Sequence, residues 1–518
     1  MKKKVLLILL LFSIVPIALA QTEGYSKKDR IAYEEADSYI AYGDYRTAAE
    51  LFENLYLKDK GNQYIKYKLG YSYFKLHEFD KAKPFLQETI YTVEDAKFYL
   101  AEILHYQSYI DEAELMLKSI KSSEIEEKEI DRLLAQIDFA RDQFQNPKEV
   151  TIKNLGTNIN SEYPDYVPLI TANEDFLYYT SRRPNDLHQL KDVTGQYYEE
   201  VYSSLNIDGE WTKAIPIKGS INTEKHDACV GLSPDGNAMF LFKTNTNLVG
   251  GDLYESQQIN GFWSAPLKMS DKINGEFSIE PSASISIDDR TFYFSSNREG
   301  GFGGFDLYRV IKLPNGEWSE ALNLGDQINT PYDDDAPFIH PDGKTLYFSS
   351  KGHQTMGGFD VFKTKLNGDN QWGEVENLGF PINTTTDDIY FVISANEQHG
   401  YYSSAKAGGE GSQDIYRINY LEKSLRQSVV KAQIPSIIDN PNGASVTVYD
   451  LRTNEIAGAY TPRTRDGRFI FLVDPNVEYE IVIESVDFEE LIKTVSFSLE
   501  ELMGRTSIEF KLKKIDLE

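Results

Sequence analysis

Three stretches of this 518-residue chain combine residue types and spacings that could do chemistry. The first is GGFGGFDLYR, Gly300 to Arg309, glycine-rich enough for its backbone amides to cradle a phosphate. The second is acidic. Asp333, Asp334 and Asp335 run together, Asp387 and Asp388 do so again, and Asp165, Asp227 and Glu280 stand in similar local sequences. Carboxylates converging from such positions would suit Ca²⁺, a hard cation that takes oxygen ligands. The third, Gly343-Lys344-Thr345, has the ending of a Walker phosphate loop.

The glycine stretch is not unique. Its counterparts are VGGDLYES (Val249 to Ser256), MGGFDVFKT (Met356 to Thr364) and GGEGSQDIYRI (Gly408 to Ile418), and the aromatic residues Tyr254, Tyr308, Phe362 and Tyr416 recur every 54 residues. A phosphate cradle is one loop opening a helix, whereas this loop recurs between strands. Its glycines are expected to supply positive φ in a hairpin. Asp252, Asp306, Asp360 and Asp414 are expected to bond the turn backbone, as structural residues of the turn. The Walker ending fails too, because Phe338 stands where the motif needs its first glycine. No Gly-x-Ser-x-Gly elbow occurs, and His77, His105, His188, His226, His340, His353 and His399 show no paired zinc-ligand spacing. No catalytic, cofactor-binding or metal residue is assigned. For Asp333, Asp334, Asp335, Asp387 and Asp388 two readings stand: Ca²⁺ ligands near a ring axis, or, preferred here, acceptors for backbone donors of a neighbouring strand.

These residues belong to a chain with three periods. Over residues 25–146 apolar residues recur at three and four, and a longer unit repeats. Ala36, Tyr39, Ala48 and Phe52 match Gly70, Tyr73, Ala82 and Leu86, then Ala101, Leu104, Ala113 and Leu117, with unit starts 34 and 31 residues apart. A charged helix near Glu124 to Phe144 would cap them, and Asn146-Pro147 ends the region. From 147 to 421 short alternating strands take over. Ile-Asn recurs at 159–160, 221–222, 273–274, 328–329 and 382–383, and Trp211, Trp263, Trp318 and Trp372 are assigned to last strands. Four strands per unit of 50-odd residues predict propeller blades, five in number, with an insertion around Asn185 to Gln196 in the first. The last unit lacks its closing strand, and Val150 to Asn160 reads like Glu374 to Asn383, so the start of the region is expected to complete the end. After a polar stretch at Leu421 to Ser428, residues 429–518 alternate through several strands.

Composition narrows the function. A net charge of -28 disfavours nucleic acid and anionic lipid as partners. Lys2, Lys3 and Lys4, the apolar run Val5 to Ile14 and Ala18-Leu19-Ala20 predict a signal peptide over 1–20, cleaved after Ala20, hence export. Cys229 is the only cysteine and, beside Val230 and Leu232, reads as a buried small hydrophobe, with a reactive thiol as the other reading.

The helical unit resembles the tetratricopeptide repeat, which implies a groove for a partner. SPDGNAMFLF (Ser233 to Phe242), HPDGKTLYFSS (His340 to Ser350) and FDLYR resemble the TolB-type, WD-like propeller repeat. Gly443-Ala444-x-Val446-x-Val448, Asp466-Gly467-x-Phe469 and Tyr479-x-Ile481 resemble the carboxypeptidase-regulatory-like domain, a small transthyretin-like sandwich. In this order the segments resemble the PorE-like periplasmic family of Bacteroidetes, associated with type IX secretion and gliding. That resemblance implies a non-catalytic scaffold at the outer membrane, without a cofactor, whose partners are PorP/SprF-like barrels or secretion subunits. A glycan- or peptide-binding module is the alternative. The OmpA-like domain usual in that family does not follow the sandwich before Glu518, so peptidoglycan binding is carried over to no residue here.

Overall fold

The structure is a computed structural model describing residues 26–184, 189–192, 194–245, 250–368, 371–420, 427–503 and 506–515. The expected signal peptide, His188 and most of the polar stretch, 421–426, lie outside the described residues. The chain divides into two compact units: Met1–Arg141 with Leu190–Tyr197, and Asp142–Gln189 with Tyr198–Glu518.

The first unit is built of helices α1 (Lys27–Ala41), α2 (Tyr45–Lys58), α3 (Gln63–Lys75), α4 (Phe79–Thr89), α5 (Asp95–Tyr106), α6 (Ile110–Lys118) and the start of α7 (Glu127–Gln145). Local chemistry sets their ends. Asp44 caps α2 by accepting the Thr47 amide at 3.0 Å, and Asn62 caps α3 by accepting those of Tyr64 and Ile65. α1, α3 and α5 stop alike: Gly43, His77 and Ser108 turn to φ of 81°, 58° and 63°. The next amide, of Asp44, Glu78 or Tyr109, then donates to the carbonyl five residues back, at 2.9, 2.9 and 2.8 Å. The small residues of the repeat (Ala36, Gly70, Ala101, Ala48, Ala82 and Ala113) are buried where helices meet. A Cβ on Gly70 would come within 3.1 Å of Phe85 and Leu86 side chains, so α3 and α4 approach closely because glycine stands there.

Among the described residues the second unit carries seven sheets, and five of them, all antiparallel, follow one another in a repeating series. The first is formed by Asp165–Ile170, Phe176–Ser181 and Glu200–Ile207 with the short strands Glu210–Trp211 and Ile215–Pro216. The second has Asp227–Leu232, Ala238–Thr244 and Gly251–Ile259 with Phe262–Trp263 and Leu267–Lys268. The third has Ala283–Ile285, Thr291–Ser296, Asp306–Ile311 and Leu322–Asn323, and the fourth Asp334–Ile339, Thr345–Ser350, Asp360–Lys365 and Glu376–Asn377. The fifth has Asp388–Ile393, His399–Ser404 and Asp414–Tyr420, and its fourth strand is Val150–Asn154, paired from Val150 with Tyr420 to Asn154 with Tyr416. Each sheet's first strand packs on that of the next, and the fifth on the first, so the arrangement is cyclic and propeller-like. Middle strands such as TLYFSS are buried at every residue after the first, because both of their faces are covered.

The tryptophans correct the strand assignment. Trp211 and Trp263 sit in two-residue return strands, and Trp318 and Trp372 in single bridges to Lys312 and Leu366; the outermost strand follows each of them. Trp211, Trp263 and Trp372 lie edge-on to Tyr401, Tyr178 and Tyr293 of the neighbouring sheet, at 5.9, 5.7 and 6.2 Å. They work as wedges between sheets and not as strand-formers.

The Ile-Asn pairs have a role that spacing alone does not show. Each outermost strand stops short of the start of the third strand, so one residue there receives one amide on its carbonyl, as Leu307 does from Leu324 and Ile415 from Leu155, but its own amide has no strand partner. The asparagine amide substitutes for that partner. Asn222, Asn274, Asn329, Asn383 and Asn160 accept the amides of Val201, Leu253, Leu307, Val361 and Ile415 at 2.7–2.9 Å. They donate back to the carbonyls of the same five residues at 2.9–3.1 Å. Four clamps span 21 or 22 residues, but Asn160 to Ile415 spans 255 and ties the start of the ring to its end.

Beyond the ring, a three-stranded sheet (Arg468–Val473, Ser428–Gln433, Ser507–Glu509) and a four-stranded one (Glu455–Tyr460, Ser445–Asp450, Glu478–Ser485, Phe488–Ser496) share a core of Val446, Val448, Phe469, Phe471, Tyr479 and Ile481. They rest on the ring through Val429, Ile470 and Leu472 against Ala172 and Ala395, and through the ion pair of Lys431 with Asp175 at 2.8 Å. Cys229 is fully buried, and that burial pushes its thiol up to about 12, which removes the thiolate needed for reactivity.

Candidate functional site

The structure separates the acidic residues that the sequence runs together. Asp334 and Asp388 occupy one position, shared with Asp165, Asp227 and Glu280, and all five are buried. Asp334 accepts the Thr330 amide and hydroxyl at 2.5 and 2.9 Å, and Asp388 those of Thr384 at 2.7 and 2.8 Å. Their neighbours point elsewhere. Asp333 accepts the Phe305 amide and pairs with Lys351, Asp387 accepts the Phe359 amide at 2.9 Å, and Asp335 accepts the Ser295 hydroxyl at 2.6 Å. Successive strand residues face opposite ways, so a run in sequence is not a cluster in space. Among the described residues, no group of three His, Cys, Asp or Glu is placed to hold a metal ion.

Cations distinguish the five positions. Arg183, Lys243 and Arg298 pair with Asp165, Asp227 and Glu280 and also donate to the carbonyls of Ile159, Ile221 and Ile273. In the fourth sheet the ring of His353 takes that carbonyl, Ile328 O, at 2.8 Å, and Asp334 is pushed up to about 7 by burial. Asp388 is pushed up to about 6, also by burial, because the charge of Lys406 opposes the rise.

The turn aspartates are engaged with backbone. Asp306 accepts the Phe302 and Gly303 amides at 2.7 and 3.0 Å, Asp414 those of Glu410 and Gly411 at 2.5 and 3.0 Å, and Asp360 that of Met356 at 2.8 Å. Each also accepts an amide of the outer strand, from Asn323, Asn154 and Asn377. Asp252 instead pairs with Lys268, which holds the outer-strand place of those asparagines. The glycines need a correction. Gly250, Gly300 and Gly408 do have positive φ, but Gly303, Gly357 and Gly411 do not. Those three press on the next sheet: a Cβ would lie 2.1 Å from Tyr332 O, 2.4 Å from Thr385 O and 2.6 Å from Tyr163 O. They allow close approach between sheets, a constraint invisible to a reading of single hairpins.

One face of the ring axis carries a different set. Tyr166 and Tyr390 stack at 6.3 Å, and Arg182 donates to the Tyr166 hydroxyl and to Glu199 at 3.2 and 3.1 Å. His226 Nδ1 lies 3.0 Å from Glu199. Burial would raise Glu199, yet the hydrogen bond of His226, the charge of Arg182 and the Tyr166 hydroxyl hold it at about 2. Val167, Ala336 and Tyr390 take φ of 54°, 53° and 61° at bulges in the innermost strands. Such a conformation is strained for a β-branched residue and tends to gather where a site is shaped.

In the helical unit, Tyr67, Tyr71 and Tyr99 of α3 and α5 form a ladder with centroids 4.9–6.5 Å apart, and Lys75 lies over Tyr71. Nearby Glu102 is half-buried and pushed up to about 7 by burial, against the charges of Lys75 and Arg132. Because the folded state prefers the protonated carboxyl, the penalty is absent below the ordinary value and is complete above pH 7. Glu102→Gln is therefore expected to stabilise the unit by about 1–2 kcal/mol at pH 8 and by nothing at pH 4. Urea melts at the two pH values check this, and equal effects would mean a solvated carboxylate.

The helical repeats and the cyclic ring define a class, a protein built of interaction modules. Residues 39–95 match the tetratricopeptide repeat family model. No curated protein matches the chain. Among solved structures, a protein described as TolB from Agrobacterium tumefaciens is similar at 16% identity and a TM-score of 0.27, over 53% of this chain and 98% of that one. An α-L-arabinofuranosidase from Lactobacillus brevis is similar at 10% and 0.33, over 50% and 90%. Kuenenia stuttgartiensis hydrazine synthase is similar at 13% and 0.26, over 48% of this chain and only 58% of that one.

Proposed function

We propose that the protein is a non-catalytic scaffold of the periplasm, associated with the outer membrane and supporting type IX secretion, gliding or a PorP/SprF-like barrel. In this reading the five sheets are the blades of a closed propeller over 147–421 and residues 429–518 are a carboxypeptidase-regulatory-like sandwich. The reading rests on one observation: tetratricopeptide-type helices, matched over 39–95, share a chain with a propeller-like ring. Both are surfaces on which other proteins dock. Purification of the full chain from envelope membranes, beside a Tyr67→Ala/Tyr99→Ala variant, tests it. A small β-barrel recovered with the first and reduced at least tenfold with the second is expected. Recovery of no barrel by either would sink the secretion reading.

The strained bulges beside the Tyr166–Tyr390 stack favour a second reading, a glycan- or peptide-binding sensor at the ring axis. Aromatic faces with a polar surround suit sugar rings. Glycan-array binding lost on Tyr390→Ala would support it, and an unchanged array profile would remove it.

A further inference from the structure

The tight turn between the first two strands of each ring sheet has one place that holds an acid in some sheets and an amide in others. Asp235, Asp288 and Asp342 stand there in the second, third and fourth sheets, and each accepts the amide two residues on, at 3.0, 3.1 and 2.8 Å. The first and fifth sheets have Asn173 and Asn396 instead. Asn396 does the same work, its Oδ1 accepting the Gln398 amide at 3.0 Å and the Ser394 hydroxyl at 2.7 Å. The turn needs the oxygen and not the charge, yet in a chain of net charge -28 only these two turns have given the charge up.

The two exceptions meet. Both line a single cleft of ≈520 Å³, within the range of a small-molecule site, roughly 300–1,000 Å³. The ring contributes these turns and the hairpin at 206–209, and the C-terminal β unit contributes Ser428, Val429 and Lys431. Most charges around the cleft are spent. Glu174 accepts the Tyr401 hydroxyl at 2.7 Å and lies 3.0 Å from His399 Nδ1, Lys431 pairs with Asp175 at 2.8 Å, and Asp208 is exposed at its hairpin tip. Arg417, from the third strand of the fifth sheet, makes no ion pair among the described residues. Its Nη1 donates to Gly209 O at 3.1 Å, whereas Nε is buried without an acceptor and Nη2 makes no hydrogen bond among the described residues. The corresponding Arg309 of the third sheet also has a bare Nε, but the hydroxyl of Tyr293 across the strand pair serves as its partner. At Arg417 the equivalent hydroxyl, of Tyr401, is turned to Glu174. The edge left over, Nε with Nη2, is one on which arginine holds a carboxylate by two parallel hydrogen bonds. Asn396 Nδ2 and the Gln398 side-chain amide, which also line the cleft, make no hydrogen bond among the described residues.

We infer that this cleft binds a small hydroxylated carboxylate, of the size of a sugar acid, on the free edge of Arg417. Asn396 would donate to it where an aspartate would repel it, and Gln398 would meet its hydroxyls. The inference goes beyond the scaffold and sensor readings. The cleft lies wholly in the second unit, at the far ends of Asp165–Ile170 and Asp388–Ile393 and away from the Tyr166–Tyr390 stack.

Calorimetry on the full-length chain tests it, with D-glucuronate, D-galacturonate and D-gluconate as probes beside D-glucose and inorganic phosphate. Saturable binding of at least one sugar acid is expected, with no binding of glucose and at least tenfold weaker binding of phosphate. Arg417→Lys keeps the charge but not the planar fork, and should weaken binding at least tenfold. Asn396→Asp should do the same without moving the melting temperature, because aspartate already serves this turn in three other sheets. No binding of any sugar acid, binding of glucose or phosphate within tenfold of the acid, or binding indifferent to either substitution would each overturn the inference. Tyr390→Ala and Tyr67→Ala/Tyr99→Ala chains should bind the acid normally, which separates this site from the ring axis and from the helical groove.

Discussion

Asn160→Ala is expected to lower the stability of the second unit by about 2–3 kcal/mol, since it strands the buried Ile415 amide and removes one of two donors to the Ile415 carbonyl, which keeps the Leu155 amide at 3.2 Å. Both groups belong to Ile415, whose side chain is fully buried, so water cannot replace the lost partner without opening the ring. The same change at Asn383 removes the same pair of bonds from Val361 but leaves a connection of only 22 residues to hold the segment in place. Both asparagines also donate to the outer strand, Asn160 to Asn154 at 2.8 Å and Asn383 to Asn377 at 2.7 Å. Only at Asn160 does the clamp span 255 residues, so loss there should release Val150–Asn154 as well. Amide exchange provides the discriminating readout. Faster exchange at 150–154 in Asn160→Ala and not in Asn383→Ala is the expected pattern. Equal, small losses of about 1 kcal/mol in both would mean that the clamps are incidental.

The second large effect is expected at Gly357. Alanine there would put its Cβ 2.4 Å from the carbonyl carbon and oxygen of Thr385, backbone atoms that cannot swing aside. The fourth and fifth sheets would have to separate, at a cost of at least about 3 kcal/mol. Gly303→Ala should behave similarly between the third and fourth sheets, with Tyr332 O at 2.1 Å. Gly316→Ala is the control. It has a φ of 85° and nothing within 4 Å of the added carbon, so only the backbone penalty of about 1 kcal/mol remains. Chemical melts of the three variants decide the matter: a Gly357→Ala loss no larger than that of Gly316→Ala would refute the close-approach role.

Much of the scaffold is legible in the sequence because its causes are local. The small residues at Ala36, Gly70 and Ala101 recur because every helix pair needs the same close contact, whereas the shared stop at Gly43, His77 and Ser108, three different residue types, shows only in their backbone. The interval of 54 between Tyr254, Tyr308, Phe362 and Tyr416 is legible for the same reason. The tryptophans and glycines were harder to place. Each is repeated, yet its reason lies in a neighbouring sheet: Trp372 meets Tyr293, and Gly411 meets Tyr163 from the far end of the ring.

By itself the sequence determined the repeat lengths, the helical and stranded regions and the recurrence of Ile-Asn, aspartate and glycine, all of which follow from periodicity and turn chemistry along the chain. Only the tertiary structure decided what those residues do. It set Asn160 against Ile415, and it turned Asp333, Asp334 and Asp335 toward three different sets of donors. The physical reason is distance through space. A hydrogen bond or a van der Waals contact depends on atoms within a few ångströms of one another, and residues 255 positions apart along the chain become neighbours only when the ring closes.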